Sequence, residues 1–286
     1  MILGLVMTTG IAMLTIVSPY ISGVIVDEVI GAGNKGILPV MVGCLIGMTV
    51  LKGILRFSSL IMFEISSQGV LYGMRDTVYK KLLQEDFAFY NKNRTGDLMS
   101  RQTGDMEAIR HFIAYVIYAV YENILLLGFA LFMVFTVNVK LALCMLVVLP
   151  FTALTTYSQS KRVRPAFQRI RQQFSSLNTF VQENISGNRV VKAFAREDFE
   201  IEKFNKENDG YRDAELSASA SWKKFIPVFE FLSNILTVVL MLYGGYMVIQ
   251  GEITLGDMVK VNGYLWMLTM PLRMAGWWIN DIHRFT

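Results

Sequence analysis

The segment FVQENISGNRVVKAFAREDFEIEKFNKEN, residues 180–208, is strongly polar and lies between long apolar stretches of the chain. Apolar residues recur every three or four positions leading into it, at Ile170, Phe174, Leu177, Val181 and Ile185. This spacing indicates one face of an amphipathic helix. Gly187 weakens the helix, and Asp198 can accept hydrogen bonds from the free amides of a new one. We therefore predict a helical hairpin with a short helix across its tip, the alternative being an ordinary charged helix in a bundle.

The composition places this hairpin beside a membrane. The chain has 286 residues, of which 53% are hydrophobic and 17% charged, and its mean hydropathy is +0.42. These values are typical of a membrane protein. The net charge of +4 does not indicate nucleic acid, because the basic residues flank apolar runs. Cys44 and Cys144 stand alone in apolar runs, so the sequence predicts neither a disulfide framework nor a metal site.

Six apolar runs predict six membrane spans, and the fold class is an all-α membrane protein with two long cytoplasmic helical hairpins. The predicted spans are residues 1–30, 37–63, 111–137, 141–157, 225–249 and 258–282. Residues 64–110 and 158–224 form the two long loops. No polar flanking residues precede the first span, which suggests a trimmed chain.

The second span has no helix breaker and is predicted to continue as a polar helix to about Glu85, a length of roughly 70 Å. More than half of this helix must stand outside a hydrocarbon core of about 30 Å. Lys52 and Arg56 fall in its inner membrane half. We expect their side chains to reach along the helix to the interface rather than to take part in transport.

A second polar tip follows at residues 86–110, DFAFYNKNRTGDLMSRQTGDMEAIR. It contains the sequence TGD twice, at Thr95 and at Thr103. Each threonine can cap a following short helix that has an acidic residue in its first turn. This tip is therefore also predicted to carry a transverse helix.

The distribution of Lys and Arg predicts the orientation. The short turns between spans hold Lys35 and Lys140, whereas the two long loops carry about twenty basic residues. Both loops are therefore expected in the cytoplasm.

Charged and polar residues inside the spans are the candidates for a substrate chamber, because such residues usually face a protein interior. The candidates are Glu122, Glu230, Asn234, Arg273, Trp277 and Trp278. With the Met and aromatic residues they would suit large amphipathic or cationic substrates. Pairing between helices, for instance of Glu230 with Arg273, explains the charges equally well.

Several stretches together resemble the transmembrane domain of ABC exporters of the type I (type IV) fold, over essentially the whole chain. The matching stretches are FYNKNRTGDLMSRQTGDMEAI at 89–109, ENISGNRVVKAFAREDFE at 183–200, GEITLGDMVKVNGYL at 251–265 and PLRMAGWWINDI at 271–282. The chain looks like a bacterial multidrug-type half-transporter. The resemblance implies a multi-pass protein of the plasma (inner) membrane that works by alternating access.

The resemblance also implies partners. Each tip would be a coupling helix seated on a nucleotide-binding domain, through Thr95, Gly96, Asp97 and Leu98 in the first and Arg196, Glu197, Asp198 and Phe199 in the second. A second half-transporter, identical or different, would complete the dimer, and an amphipathic drug, lipid or peptide would be the substrate.

The chain departs from the family pattern in one respect, since no G-x-x-x-x-G-K-[ST] phosphate loop occurs in it. We expect no catalytic residue and no cofactor in this chain, with ATP and Mg²⁺ bound in a separate nucleotide-binding domain. The alternatives are a membrane sensor, a regulatory module or a channel of the same helical architecture. The short outer turns argue against a sensor with an external ligand domain.

Overall fold

Every regular element of the described residues is helical. The computed structural model describes the backbone of residues 1–282 and the side chains up to Ala275. The predicted chamber residues Trp277 and Trp278 lie outside the residues whose side chains are described. An all-helical chain is the expected outcome for a protein that crosses a bilayer, because each helix satisfies its own peptide groups.

The α-helices in chain order are α1 (Ile2–Val24), α2 (Leu38–Gln84), α3 (Phe87–Lys92), α4 (Thr95–Ser100), α5 (Met106–His111), α6 (Ile117–Val137), α7 (Val139–Leu146), α8 (Val148–Ala193), α9 (Glu197–Val239), α10 (Gly245–Ile249) and α11 (Leu255–Ile282). Within residues 1–282, four π-helical segments extend or join them, at Ile25–Gly31, Arg101–Asp105, Phe112–Val116 and Leu240–Gly244, and Lys35–Ile37 is a 3₁₀ turn.

Among the residues that the structure describes, five helical stretches are long and apolar enough to cross a membrane. They are Ile2–Gly31, Lys35–Gln84, Thr95–Val137, Val139–Ala193 and Glu197–Ile249. The predicted sixth span falls in α11, which is not one of these five. The chain is therefore a multi-pass helical membrane protein, and the number of six spans stays a prediction.

Helix α2 confirms the predicted continuation of the second apolar run into a polar helix. It has 47 residues, and its buried positions Ser59, Phe63, Ser67 and Leu71 are spaced by four. They form one continuous stripe along the helix.

The described residues form two compact units. The first comprises Met1–Leu149 with Ser233–Thr286, and the second is Pro150–Leu232. The first unit contains α1 to α7 together with α10 and α11, and its core includes Ile11, Phe63, Ala130 and Tyr264. The second unit consists of most of α8 and the greater part of α9.

Glycines allow α1 and α11 to pack closely in the first unit. A Cβ at Gly256 would overlap with the carbonyl oxygen of Gly23 and with the carboxylate of Asp27. A Cβ at Gly263 would likewise overlap with Pro19. These glycines are required for close backbone approach, whereas a Cβ at Gly43 on α2 would meet nothing within 4 Å.

Asp27, in the π-helical segment Ile25–Gly31, connects that segment to the start of α11 through hydrogen bonds. Its carboxylate accepts hydrogen bonds from the Thr254 hydroxyl and from the Gly256 amide, each at 2.7 Å. Thr254 and Asp257 also cap α11 reciprocally, since the Asp257 amide donates to Thr254 Oγ1 and the Thr254 amide donates to Asp257 Oδ2. The turn before α11 is therefore stabilised both by Asp27 and by the reciprocal cap of Thr254 and Asp257.

The two predicted threonine caps in the first polar tip are wrong. Arg94 precedes α4 in an extended conformation and makes no side-chain cap. Thr103 lies inside a helical run, where its hydroxyl donates to the Met99 carbonyl at 2.9 Å. The separate short helix of this tip is α3, which Asp86 caps by accepting from the Phe89 amide at 2.8 Å.

The predicted short helix across the second tip is also absent from the described structure. Helix α8 runs through Gly187 to Ala193, and α9 begins at Glu197 and continues unbroken to Val239. Asp198 therefore lies in the first turn of a long helix and does not start a short one. Gly187 does not interrupt α8, because a single glycine costs a helix only about 1 kcal/mol.

The close contact of α1 with α11 generates a stability prediction. We expect Gly256→Ala to lower the free energy of unfolding by about 1–3 kcal/mol, because the new methyl group must push two backbones apart. Gly43→Ala is the matched control and should leave stability unchanged or raise it by up to about 1 kcal/mol. Unfolding by SDS in mixed micelles measures both. Equal behaviour of the two variants would contradict this account of the α1–α11 contact.

Candidate functional site: intramembrane charges and helix tips

An ion pair joins α2 to α6 within the first unit. The Arg56 guanidinium donates to both carboxylate oxygens of Glu122, from Nη1 at 2.7 Å and from Nη2 at 2.6 Å. The Glu122 side chain is 10% exposed and that of Arg56 is 38% exposed. Our expectation that the Arg56 side chain reaches along the helix to the interface is wrong, because its guanidinium binds the carboxylate of Glu122 on another helix instead.

An aromatic ring lies against the Arg56 side of this ion pair. The guanidinium carbon of Arg56 lies 5.4 Å from the ring centre of Tyr118, which in turn packs against Phe63 at 5.5 Å between centroids. Tyr118 is 5% exposed, and its hydroxyl has no hydrogen-bond partner among the described residues. Low surrounding polarity strengthens the attraction between the two charges.

Hydroxyl groups of α1, α2 and α6 form further polar contacts near this ion pair. Ser59 donates to the Gly4 carbonyl at 3.2 Å and shares a hydrogen bond of 3.1 Å with Thr8. Thr9 and the Tyr121 hydroxyl share another of 2.9 Å. Helices α1, α2 and α6 are therefore tied together by polar contacts in the middle of apolar sequence.

The other chamber candidates differ from Glu122 in their surroundings. Glu230 and Asn234 are exposed on α9, one turn apart on one face. Arg273 is half-buried on α11. Glu122 has a charged partner on another helix, Arg56, so for Glu122 the geometry favours pairing between helices.

The first polar tip is anchored to α2 at its base. Arg110 donates to Glu107 at 2.6 Å and to Glu64 on α2 at 2.9 Å. The hydrogen bond from Arg110 lowers the pKa of the Glu107 carboxyl. Thr95, Gly96 and Asp97 are exposed and Leu98 is half-buried, whereas Phe87 at the start of α3 is 89% exposed. Sequence patterns did not single out Phe87, although the preceding Asp86 is a typical helix-capping residue.

The second polar tip is a three-residue turn between α8 and α9. The Arg196 amide donates to the Val191 carbonyl at 3.1 Å and the Ala195 amide to the Lys192 carbonyl at 3.3 Å. This is the Schellman pattern that ends many helices. Ala195 occupies the left-handed position with a φ of 45°, where glycine is usual.

Charge and aromatic contacts hold the second tip. Lys192 donates to Glu197 at 2.8 Å across the turn and lowers the pKa of that carboxyl. The Arg196 and Lys203 cations lie 5.3 and 4.8 Å from the Phe199 ring centre. All four residues predicted for this contact therefore lie in the turn or in the first turn of α9.

Apolar side chains are unusually exposed near this turn. Phe194 is 74% exposed, Ile185 73% and Ile201 56%. A groove of about 420 Å³ lies between α8 and α9 and is lined mainly by Phe180, Val181, Ile185, Val191, Ile201 and Phe204. A contiguous exposed apolar surface on a polar segment is typical of an interaction site.

No cluster of three or more His, Cys, Asp or Glu side chains that could hold a metal occurs within the part of the chain that the structure describes. Cys44 and Cys144 are free thiols at exposed positions.

The chain is similar to known transporter proteins over most of its length. Residues 1–272 match the family described as ABC transporter transmembrane region. It is 38% identical over 268 residues to the uncharacterized ABC transporter ATP-binding protein YknU of Bacillus subtilis (strain 168), covering 93% of this chain and 46% of that protein.

Two further relatives have more specific names. The ATP-dependent lipid A-core flippase of Syntrophus aciditrophicus (strain SB) is 27% identical, with 93% of this chain and 43% of the relative covered. The probable multidrug resistance ABC transporter ATP-binding/permease protein YheI of Bacillus subtilis (strain 168) is 28% identical, with 74% and 36% covered. The chain thus spans less than half the length of these relatives.

The ion pair yields a prediction about stability. Arg56→Met leaves the buried Glu122 carboxylate without a counter-charge, and we expect the free energy of unfolding to fall by about 3 kcal/mol. The double variant Arg56→Met/Glu122→Met should recover most of this loss. A double-mutant cycle by SDS unfolding measures the coupling. Additive effects of the two single changes would show that the pair is not coupled.

The strained turn yields a second prediction. Ala195→Gly should stabilise the second tip by about 1 kcal/mol, because glycine adopts the left-handed conformation without a Cβ penalty. Ala193→Gly, two residues earlier in the last turn of α8, is the control and should destabilise by up to about 1 kcal/mol. Hydrogen exchange of the amides at 194–200 should slow in the first variant and accelerate in the second. Changes of the same sign would contradict the assigned backbone conformation.

Proposed function

The chain belongs to the ABC transporter transmembrane region family, and from that premise we propose that it is the membrane half of an ATP-driven exporter. It would move amphipathic or hydrophobic substrates, drug-like, lipid or peptide, out of the cytoplasm by alternating access. The observation that carries the proposal is the family match over residues 1–272 in a chain whose helices extend far beyond a bilayer.

The length of α2 supports coupling to a domain outside the membrane. At 1.5 Å per residue its 47 residues measure about 70 Å, roughly twice what a bilayer core requires. A rigid helix of this length can transmit a displacement at its polar end to its membrane end as a rigid-body tilt. The polar end of α2 leads directly into α3 at the first tip.

The two polar tips would receive that displacement from nucleotide-binding domains. At the first tip the proposed contact comprises Thr95, Gly96, Asp97 and Leu98, and we add the exposed Phe87 of α3. At the second it comprises Arg196, Glu197, Asp198 and Phe199. Exposed apolar side chains beside each contact favour a protein partner there.

ATP and Mg²⁺ would bind in the nucleotide-binding domains, since this chain contains no phosphate-binding loop. YheI is named as an ATP-binding/permease protein, which fits a membrane domain that works with an ATP-binding domain. A second half-transporter, identical or different, would complete the assembly in a bacterial inner membrane, with both tips in the cytoplasm.

Glu230 and Asn234 are the chamber residues that we retain as first candidates, and Arg273 remains a further candidate. Both residues on α9 are exposed in the single chain, so they are free to face a cavity formed with the second half-transporter. Glu122 is assigned a pairing role instead, because Arg56 occupies both of its oxygens.

A reconstitution experiment tests this function. The chain is combined with its ATP-binding domain in liposomes, and ATP hydrolysis is measured with a panel of lipids, peptides and cationic dyes. We expect some members to stimulate hydrolysis severalfold and Glu230→Gln to change which members do so. Glu183→Gln, an exposed carboxylate on α8, is the matched control and should change nothing.

A panel that leaves hydrolysis unchanged, with basal hydrolysis intact, would contradict an exporter of these substrate classes. An unchanged stimulation profile for Glu230→Gln would remove Glu230 from the chamber.

A further inference from the structure

The chain returns from the first tip along a helical run that follows α2. This returning run, residues 95–137, contains the two π-helical segments Arg101–Asp105 and Phe112–Val116. Helix α2, by contrast, is α-helical over all of its 47 residues. Sharp kinks in helices commonly occur at π-helical turns, so the returning run is expected to bend more easily than α2. A displacement of the tip would then be absorbed in this run before it reaches α6.

Two arginines connect the returning run to α2, one at or beside each π-helical segment. The Nε of Arg75 on α2 donates to the carbonyl oxygen of Gln102, within the first segment, at 3.3 Å. Arg110 lies two residues before the second segment, and it donates from Nη1 to Glu64 on α2 at 2.9 Å and from Nε to Glu107 at 2.6 Å. Both segments are therefore held against α2 by a hydrogen bond.

Three polar contacts between α2 and the returning run occur in antiparallel order. From the tip toward the membrane they are Arg75 with Gln102, Glu64 with Arg110, and Arg56 with Glu122. The first and the last contact are 19 residues apart on α2 and 20 residues apart on the returning run, a rise of about 30 Å on each. The two elements thus lie side by side over this length, and the Arg110 contact is the middle one.

The Arg110 contact lies outside the hydrocarbon core. Glu64 is 26 residues beyond Leu38, the first residue of α2, or about 39 Å along the helix, whereas the core is about 30 Å thick. The Arg110 side chain is 20% exposed, and those of Glu64 and Glu107 are about half exposed. Ion pairs of this exposure contribute little to folding stability. What Arg110 supplies is position, because carboxylates on two elements hold one planar guanidinium.

We propose that Arg110 is a positioning residue for energy coupling. Through Glu64 it makes the returning run move with α2, so that a displacement of the first tip reaches α6. The Arg75 contact acts in the same direction at the first π-helical segment. This role rests on the proposed function, since it presupposes a nucleotide-binding domain that displaces the tip. The contact of Arg110 with α2 does not depend on that function.

ATP hydrolysis by the transporter assembled with its ATP-binding domain in liposomes tests this role. With a stimulating substrate from the panel, Arg110→Gln should lower the stimulated part of hydrolysis about threefold and leave basal hydrolysis within about twofold of the parent. Arg110→Lys keeps a cation beside both carboxylates and should restore much of the stimulation. Lys80→Gln is the matched control, because Lys80 pairs at 2.7 Å with Asp76 on its own helix, and it should change neither rate.

Hydrogen exchange without ATP tests the contact separately from transport. The amides of residues 101–116 should exchange severalfold faster in Arg110→Gln and at the parent's rate in Lys80→Gln, because only the first variant releases the returning run from α2. Thermal unfolding of Arg110→Gln should occur near the parent's temperature, since exposed ion pairs stabilise little.

A covalent bridge can replace the ion pair without its charges. After replacement of Cys44 and Cys144, Glu64→Cys/Arg110→Cys is joined by a bifunctional thiosulfonate reagent that spans the length of the two side chains. The bridge should restore the substrate stimulation that the unbridged double variant has lost, and a reducing agent should remove it again.

Three outcomes would overturn the proposal. Unchanged stimulation in Arg110→Gln would mean that the contact is not needed for coupling. An equal fall of basal and stimulated hydrolysis, with a lower unfolding temperature, would give Arg110 a structural role only. A bridge that restores nothing would show that the connection itself does not matter. If no substrate stimulates the parent, the exporter is contradicted instead, and hydrogen exchange still decides whether Arg110 holds the returning run.

Discussion

The absence of water inside a bilayer is the constraint on which this structure depends. Peptide groups that cannot reach water must bond to one another within a helix, and the described chain is helical in every regular element. The same constraint applies to side chains, since a charge placed among lipid tails needs a partner. Arg56 and Glu122 meet that need with two short hydrogen bonds between α2 and α6.

Outside the bilayer the constraint is relaxed, and the chain changes character without changing secondary structure. Helix α2 proceeds from apolar to polar sequence with no break over 47 residues. The turns that end the polar segments are defined by local hydrogen bonds, through Asp86 at α3 and through the Schellman turn around Ala195. Exposed Phe87 and Phe194 then project from otherwise polar tips, as expected of surfaces that meet a partner.

The sequence was sufficient for features that depend on composition and periodicity. Apolar runs and the lack of breakers after residue 63 predicted the helical class and the length of α2. Features that depend on contacts distant in sequence could not be predicted. Arg56 and Glu122 are 66 residues apart, and the glycine contact of Gly23 with Gly256 joins opposite ends of the chain.

Local sequence signals also gave wrong predictions where a residue can either cap a helix or lie within one. Thr95 and Thr103 carry a sequence typical of helix caps, yet the backbone is helical through both residues and the hydroxyl of Thr103 bonds back to its own helix. At the second tip, the new helix predicted to start at Arg196–Asp198 does begin at Glu197, but the left-handed turn at Ala195 was not predicted because glycine is usual at that position.

The central claim is that this chain lines a pathway that opens alternately to the two sides of the membrane. The most direct measurement uses Asn234→Cys after replacement of Cys44 and Cys144, in the transporter assembled with its ATP-binding domain. A membrane-impermeant maleimide is applied from either side, without nucleotide and with trapped ATP. The account predicts labelling from the cytoplasmic side in the first state and from the outside in the second. Labelling from the same side in both states would contradict it.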